Sequence, residues 1–442
     1  MPEFEITVSG RARRVALPDR VEIEVGRPRW REPVPDAREE IARAVGSPIG
    51  CPSLVQMAAG ARRVAIILTD ITRKPPEREI LDVLFAELAR VGVTKERIAL
   101  VVATGMHRPN TADEIRGMYG TDIYARVGRI ENHDARDPAR LVDLGRAADG
   151  RPIVMNRTVT EADLVLSTGV IEVHLWAGCS GGSKTAAIGA AGFETITGLH
   201  SYRFATAPGV ALGRVEGNPF RDALDEIGER AGLGFVVNAI QRADGRLVRA
   251  VAGHPVEAFR EGVHFAREQF EIPVPGPFDA IVAVPGYPKD RNLYQASRAV
   301  NPVFFGPQPV LREGGAVIVP ARCGDGLGDE ELYDLLAGER TPAGAVARVA
   351  REDLRPGGQL AGFKLARALA RGRIIVTDCD LPGAMLERMH LGWAPTVEAA
   401  LAAEVEHGAQ RVLVLPEPMV TLLKISSQRE RTPTCAQSDS TS

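Results

Sequence analysis

Short apolar runs alternate with amphipathic segments along most of this chain. Residues 64–68 (VAIIL) and 98–102 (IALVV) are continuously apolar, which is typical of parallel strands that are buried on both faces. Residues 79–91, between them, repeat apolar positions with the spacing of a helix. This succession of strand, helix and strand predicts an α/β fold built on a parallel sheet.

A second series of strands and helices follows the proline-rich residues 272–278, which we interpret as a linker. At 442 residues the chain is too long for one ordinary domain. We therefore predict a two-lobed α/β protein, with mixed or parallel sheets flanked by helices and an active site in the cleft between the lobes. The predicted parts are an N-terminal cofactor-binding and catalytic domain (1–272), a C-terminal α/β domain (276–395), a C-terminal return to the first domain (396–425, with a strand at 411–415) and a disordered tail (426–442).

Composition narrows the classes of protein that fit. A net charge of −3 gives no reason to expect nucleic acid or an anionic membrane as a partner. No apolar run approaches the roughly 20 residues that span a bilayer, and the first residues predict a strand rather than a signal peptide. Five scattered cysteines without a C-x-x-C pair indicate reduced thiols, so we expect a cytoplasmic protein.

The chemistry concentrates in residues 167–200. A glycine-rich loop at 178–185 (GCSGGSKT) leads into an alanine-rich helix, where backbone N–H groups and the helix dipole favour an anion. The loop differs from a P-loop at one position, Ser183, where that motif has glycine. Lys184 could contact a phosphate, or it could be a covalent nucleophile if desolvation removes its proton. His174 and His200 flank it.

Polar side chains also follow the buried strands, where open α/β sheets place their sites. Asp70 and Arg73 come after the first strand, and His107 after the second. In the second half, a helix from residue 293 would place Tyr294, Gln295 and Arg298 on nearly one face, a plausible carboxylate grip. Three of these residues could instead have a purely structural role: Asp70 could cap a helix, Arg73 could join a surface ion pair, and Arg298 could lie on a solvated face.

Four segments match motifs that occur together in one known family. Residues 69–76 match its D-x-T-R segment, and residues 103–109 match A-T-G-x-H-R-P. Residues 174–184 match P-H-x-x-A-G-F-S-G-G-G-K, and residues 286–295 match a segment of its second domain. With these motifs the chain resembles the lactate racemase family, whose members use a nickel-pincer nucleotide. The resemblance runs from about residue 10 to about residue 415, which is nearly the whole chain.

The resemblance implies a role for each matching residue. Lys184 would carry the nucleotide through a thioamide, and His200 would be the protein ligand of the nickel. His107 and His174 would be the acid/base pair that exchanges the hydroxyl proton while C2 of a 2-hydroxy acid transfers hydride to the cofactor. The planar 2-keto acid can turn its other face before hydride returns. Substrate contacts are assigned to Arg73, Tyr294, Gln295 and Arg298, and cofactor contacts to Asp70, Thr72, Ser180, Gly181 and Gly182.

The departures from the family pattern concern the substrate more than the cofactor. Arg298 stands where the lactate enzymes have lysine, Cys179 replaces an aromatic residue and Ser183 replaces a glycine. We therefore expect a racemase or epimerase of a 2-hydroxy acid other than lactate, such as a longer acid, one with a second carboxylate, or a sugar acid. Its partners would be that acid and the enzymes that make and load the cofactor. Self-association is left open.

Two other classes of protein stay open. A phosphate-binding, P-loop-like NTPase could use the loop at 178–185, although it would leave the three histidines unexplained. A catalytically silent cofactor-binding protein could carry the nucleotide on Lys184 without turnover. If the racemase interpretation holds, Gln295 and Arg298 reach across the cleft, and we expect the lobes to close over the substrate.

Overall fold

The two-lobed α/β architecture is confirmed in a computed structural model, which describes residues 3–16, 20–73, 75–354 and 357–426. Two six-stranded sheets, each flanked by helices, form the centres of the lobes. The strands are β1 (Glu3–Val8), β2 (Arg11–Ala16), β3 (Glu22–Val25), β4 (Val64–Thr69), β5 (Ile98–Ala103), β6 (Arg129–Asn132), β7 (Leu141–Arg146), β8 (Pro152–Asn156), β9 (Leu164–Val170), β10 (Val173–His174), β11 (Gly178–Cys179), β12 (Leu233–Gln241), β13 (Leu247–Gly253), β14 (Glu271–Val274), β15 (Phe278–Ala283), β16 (Leu311–Pro320), β17 (Arg373–Thr377), β18 (Gly392–Ala394), β19 (Arg411–Leu415) and β20 (Leu422–Ile425).

The helices connect these strands and cover the sheet faces. They are α1 (Ala37–Gly46), α2 (Leu54–Ala58), α3 (Glu77–Ala89), α4 (Ala112–Tyr119), α5 (Ile123–Arg126), α6 (Arg157–Thr160), α7 (Lys184–Gly189), α8 (Phe193–Leu199), α9 (Tyr202–Ala205), α10 (Pro219–Arg230), α11 (Glu257–Phe270), α12 (Leu293–Ala296), α13 (Asn301–Phe304), α14 (Glu330–Ala337), α15 (Pro342–Glu352), α16 (Gly358–Leu369), α17 (Gly383–Arg388) and α18 (Val397–Glu406). Short 3₁₀ turns include Lys289–Arg291 and Ser297–Val300. In the part of the chain that the structure describes, no helix is both long and apolar enough to span a membrane.

The first sheet has the strand order β13-β12-β9-β4-β5-β6, and only the β12–β13 pair is antiparallel. Strand β4 is buried along its whole length, as its unbroken apolar run predicts. The chain adds β5 and β6 on one side of β4 and later adds β9 on the other side. This reversal is a topological switch point, and the carboxyl ends of β4 and β9 open a crevice there.

The second sheet has the order β18-β17-β16-β15-β19-β3 and is parallel throughout. Its switch point lies between β15 and β19, so the segment after β15 also starts at a crevice. Strand β19 was predicted to return to the first lobe, and this prediction is wrong because β19 pairs with β15. Strand β3 likewise pairs with β19, which moves residues 22–25 from the predicted first domain into the second lobe.

Side chains from both ends of the chain complete the second lobe. Phe4, Ile6 and Val15 of the first hairpin pack in one apolar cluster with Val282 and Val412. Hydrogen bonds also join the lobes, among them Leu212 N to Phe305 O at 2.9 Å. The exact domain boundaries stay a prediction, and the tail predicted at 426–442 lies, beyond residue 426, outside the described residues.

Candidate active site

The predicted site residues of the first lobe lie at one edge of its sheet. Asp70 directly follows β4, His107 follows β5, and His174 follows β9. Because β4 has parallel neighbours on both sides, the carboxyl ends of these strands meet at the same edge. The topology therefore brings together three segments that are far apart in the sequence.

His107 and Asp70 form a hydrogen-bonded pair. Asp70 Oδ2 lies 2.7 Å from His107 Nδ1, and the other carboxylate oxygen accepts from the Thr72 hydroxyl at 2.6 Å. Burial alone would raise the pKa of Asp70, but these hydrogen bonds outweigh it and lower the pKa below its usual value. A carboxylate can only accept, so His107 donates from Nδ1 and its Nε2 faces solvent as a free lone pair in the neutral ring.

The glycine-rich loop is held by protein contacts. Gly181 and Gly182 have φ of +88° and +59°, which favours glycine, and a Cβ on Gly182 would lie 2.9 Å from the Phe259 ring. The amide of Gly182 donates to Asn238 Oδ1 at 2.8 Å, and that of Ser180 donates to Glu172 O at 2.9 Å.

These contacts test the prediction that the backbone amides of the loop bind an anion. The amide of Lys184 also has an acceptor inside the loop, Gly181 O at 3.3 Å. The prediction that these amides close on an anion is therefore wrong for residues 180, 182 and 184. The Ser180 hydroxyl is likewise occupied, since it donates to Val170 O at 2.6 Å. What the loop does is fix the position of Lys184.

Lys184 lies at the first position of α7 and is largely buried. Burial, followed by the positive charges of Arg73 and Arg221, lowers its pKa to about 7, while Asp70 and Glu172 oppose the shift. At neutral pH a large fraction of this amine is therefore uncharged and nucleophilic. This favours the covalent interpretation of the lysine over the phosphate contact.

His174 is held as a hydrogen-bond donor in this structure. Its Nδ1 accepts from the backbone amides of Trp176 at 3.3 Å and Ala177 at 3.1 Å, so the neutral ring carries its proton on Nε2. Burial, and then the charges of Lys184 and Arg73, lower the pKa of His174 well below its ordinary value. His107 and His174 therefore present opposite tautomers, the first with a free Nε2 lone pair and the second with an Nε2–H.

His200 caps the end of α8 with a free ring nitrogen. Its Nδ1 donates to Ile196 O at 2.8 Å, which leaves the Nε2 lone pair available, and burial lowers its pKa to about 4. The Trp176 ring lies 5.3 Å from the His200 ring and limits its rotation. Within the described ranges, no three His, Cys, Asp or Glu side chains gather into a metal site. A metal at His200 would thus take its other donors from a bound molecule.

Residues of the second lobe face this site across the cleft. Arg298 Nη1 lies 3.4 Å from Gln295 Oε1, so the two side chains are close to each other, as predicted. They are not on one continuous α-helix, because α12 ends at Ala296 and Arg298 lies in the 3₁₀ turn that follows. Burial and then the charge of Arg73 lower the pKa of Arg298. Tyr294 is half-buried beside it, and burial raises its pKa. Arg73 itself pairs with Glu172 at 2.7 Å.

Several residues that shape the site were missed in the sequence. Arg221 is fully buried and donates to the carbonyls of Ala177, Cys179 and Gly181, so it holds the loop from α10. Glu172, which pairs with Arg73, was given no role from the sequence. Glu77 binds the Thr69 amide at 3.0 Å and the Thr168 hydroxyl at 2.7 Å, and its burial raises its pKa to about 7. A charged residue inside a helical pattern gives no local signal of such burial.

Both halves of the chain match proteins of the same family. Residues 9–213 match the model of the lactate racemase N-terminal domain, and residues 278–423 match that of the lactate racemase C-terminal domain. The lactate racemase of Lactiplantibacillus plantarum is 30% identical over 392 residues, covering 88% of this chain and 91% of that protein. The lactate racemase of Thermoanaerobacterium thermosaccharolyticum is 27% identical over 389 residues, covering 87% and 90%.

Two solved structures are similar to this chain over most of its length. The lactate racemase apoprotein from Thermoanaerobacterium thermosaccharolyticum matches with a TM-score of 0.86 at 26% identity, over 96% of this chain and 100% of that chain. A protein from Thermotoga maritima matches with a TM-score of 0.66 at 16% identity, over 90% and 100%, and shares the fold. The fold and these relatives place the chain in a family of racemases, which are isomerases. The chain belongs to the lactate racemase family.

Proposed function

We propose that this protein racemises or epimerises a 2-hydroxy acid other than lactate, using a nickel-pincer nucleotide tethered to Lys184. The observation that carries the proposal is a partly buried Lys184, whose pKa is lowered to about 7, in the same site as His200, whose Nε2 is free. Such a cofactor needs a neutral amine for its covalent link and a neutral imidazole for its metal. When bound, the group would accept the hydrogen of C2 as hydride and give it back.

The residues of the first lobe handle the hydroxyl proton. His107 can accept it at Nε2, and the Asp70 carboxylate at 2.7 Å from Nδ1 stabilises the imidazolium that forms. His174 in this conformation can donate a hydrogen bond from Nε2 to the substrate oxygen. To accept a proton at Nε2, its Nδ1 must release the amides of residues 176 and 177. Use of both histidines as bases therefore requires rearrangement of this turn.

The cleft supplies the groups that orient the substrate. Arg73 can bind its carboxylate because the guanidinium is partly exposed and only one carboxylate, Glu172, pairs with it among the described residues. Gln295 and Arg298 can contact the substrate from the second lobe. A guanidinium at position 298 can bind a carboxylate bidentately, which the family's lysine cannot do, and this supports a substrate other than lactate.

The remaining parts of the proposal follow from the same chemistry. Thr72, Gly181 and Gly182 are expected to lie beside the nucleotide, and closure of the lobes would exclude water from the reacting atoms. Enzymes that make and load the cofactor are the expected partners. Cys51, Cys179, Cys323 and Cys379 are unpaired thiols, which supports a reducing compartment such as the cytoplasm.

The test is intact mass and nickel content after co-expression with enzymes that make the pincer nucleotide. We expect a mononucleotide-sized adduct that maps to Lys184, with nickel stoichiometric to the adduct. Lys184→Arg should abolish the adduct, and the matched surface change Lys95→Arg should leave it intact. Absence of adduct and nickel in the wild-type protein would refute the proposal.

Two further measurements separate the alternatives. Nucleoside triphosphate hydrolysis that is lost in Lys184→Ala would favour the phosphate-loop NTPase. A fully loaded protein without activity on a broad panel of 2-hydroxy acids, each tested as both enantiomers, would favour a silent cofactor-binding protein.

A further inference from the structure

Four basic side chains influence one another where the second lobe faces Arg73, namely Arg73 itself, Lys289, Arg298 and Lys364. Arg298 lies at their centre: Arg73 lowers its pKa, and Arg298 in turn lowers the pKa of Lys289 and of Lys364, in each case after the effect of burial. The Ser297–Val300 turn, which carries Arg298, packs against α16, which carries Lys364. Among the described residues, Glu172 is the carboxylate whose charge acts on Lys289 and Arg298, and it already pairs with Arg73.

The proposed reaction leaves two members of this group unused, Lys289 and also Lys364. Lys364 lies on α16, which contacts the first lobe on either side of this lysine: the Phe363 ring lies 5.7 Å from the Tyr202 ring, and Arg367 donates to Ala205 O. Lys364 is only partly exposed, and its pKa is lowered to about 8 by burial and by Arg298. Among the residues that the structure describes, no carboxylate pairs with Lys364, Arg298 or Lys289.

We infer that Arg298 and Lys364 form a second carboxylate subsite, and that the substrate class is a 2-hydroxy dicarboxylate. This inference rests on the proposed function. Arg73 would hold the carboxylate next to the reacting carbon, as in a monocarboxylate substrate. The distal carboxylate would extend into the second lobe, between the guanidinium of residue 298 and the ammonium of residue 364. Lys364 is then a residue that determines specificity.

Two other ligands explain the cations less well. The hydroxyls of a sugar acid carry no charge, so they would leave two partly buried cations without a counter-ion. The nucleotide phosphate is the second rival. The charges that act on Lys184 are those of Arg73, Arg221, Asp70 and Glu172, whereas the charge that acts on Lys364 is that of Arg298. The charges that shift the pKa of Lys364 and of Lys184 therefore come from different residues, and Lys364 lies in the second lobe together with Arg298.

The first test compares malate with lactate, which differ by one distal carboxylate. In the loaded enzyme we expect the ratio of kcat/KM for malate to that for lactate to fall roughly 10- to 100-fold in Lys364→Met, the effect of one charge-assisted contact. Lys364→Arg should retain most of the preference. Lys424→Met, which removes an exposed lysine far along the chain, should leave the ratio unchanged. An unchanged ratio in Lys364→Met would overturn the inference.

The second test uses the unloaded protein, which cannot turn malate over. Calorimetric titration should show malate binding at least about 10-fold tighter than lactate, with the difference lost in Lys364→Met. Thermal unfolding of each variant controls for folding. If Lys364→Met instead lowers nucleotide loading, the lysine serves the cofactor phosphate and the inference fails. If the wild-type protein takes no nucleotide at all, the proposed function fails, while the titration still decides whether the subsite exists.

Discussion

Lys184 should react at neutral pH as an uncharged amine. Its pKa of about 7 follows from burial and from the charges of Arg73 and Arg221. At pH 7 about half of this amine is neutral, against about 0.04% for a lysine with an ordinary pKa of about 10.4. The neutral population is therefore roughly 1000-fold larger.

A weaker base is also a weaker nucleophile, which reduces the advantage. If the log rate of amines increases with their pKa with a slope of about 0.5, as it does for thiolates, the lowered pKa of Lys184 reduces its intrinsic rate about 50-fold. We therefore expect Lys184 to be acylated roughly 20-fold faster than an exposed lysine at pH 7. Its log rate should level off above about pH 7, whereas that of an ordinary lysine keeps rising towards pH 10.

The assay is pulse acetylation of the unloaded protein from pH 5.5 to 10, read by peptide mass spectrometry with the exposed Lys95 as the internal reference. Arg73→Met should move the plateau of Lys184 to higher pH, because it removes a repelling charge and frees the carboxylate of Glu172. The surface change Arg116→Met is the matched control. Labelling of Lys184 that rises in parallel with Lys95 through pH 9 would refute the reasoning.

Three further predictions address the rest of the site. Asp70→Asn should lower kcat by roughly 100-fold or more with nickel content unchanged, because His107 loses the carboxylate that orients it; steady-state kinetics with metal analysis check this. His200→Ala should lose nickel while the adduct stays on Lys184, and retention of the metal would contradict its role. Glu77 has a raised pKa of about 7 against 4.5, so the folded chain holds a proton that the unfolded chain releases between these values. Its contribution to the free energy of unfolding should fall by at most about 3 kcal/mol as pH rises through this window, seen as a urea midpoint that falls relative to Glu77→Gln.

The central strands and the strand-end chemistry could be predicted from the sequence because their signals are local. The apolar runs at 64–68 and 98–102 became β4 and β5 with only one residue added to each, and α3 begins two residues before the predicted start. Asp70, His107 and His174 lie at the sheet edge because the strands before them are parallel. The carboxylate–imidazole contact then follows from adjacent strands.

What could not be predicted depends on contacts between distant residues. The apolar run at 411–415 suits any buried parallel strand, so its choice of β15 as a neighbour is decided by packing that the sequence does not display. The loop amides of residues 180 and 182 find acceptors in Glu172 and Asn238, which a glycine-rich pattern alone cannot reveal. Arg221 was not singled out in the sequence, because a charged residue in a helix gives no local sign that the fold buries it.

The most direct test of the central claim follows the hydrogen on C2 of the substrate that the loaded enzyme turns over fastest. One enantiomer, deuterated at C2, is racemised in ordinary water, and the product of opposite configuration is analysed by mass spectrometry. If the hydrogen leaves as hydride and returns to the same carbon, the product keeps its deuterium. Replacement of deuterium by solvent hydrogen at the rate of racemisation would show that a base removes a proton from C2, and would contradict the account.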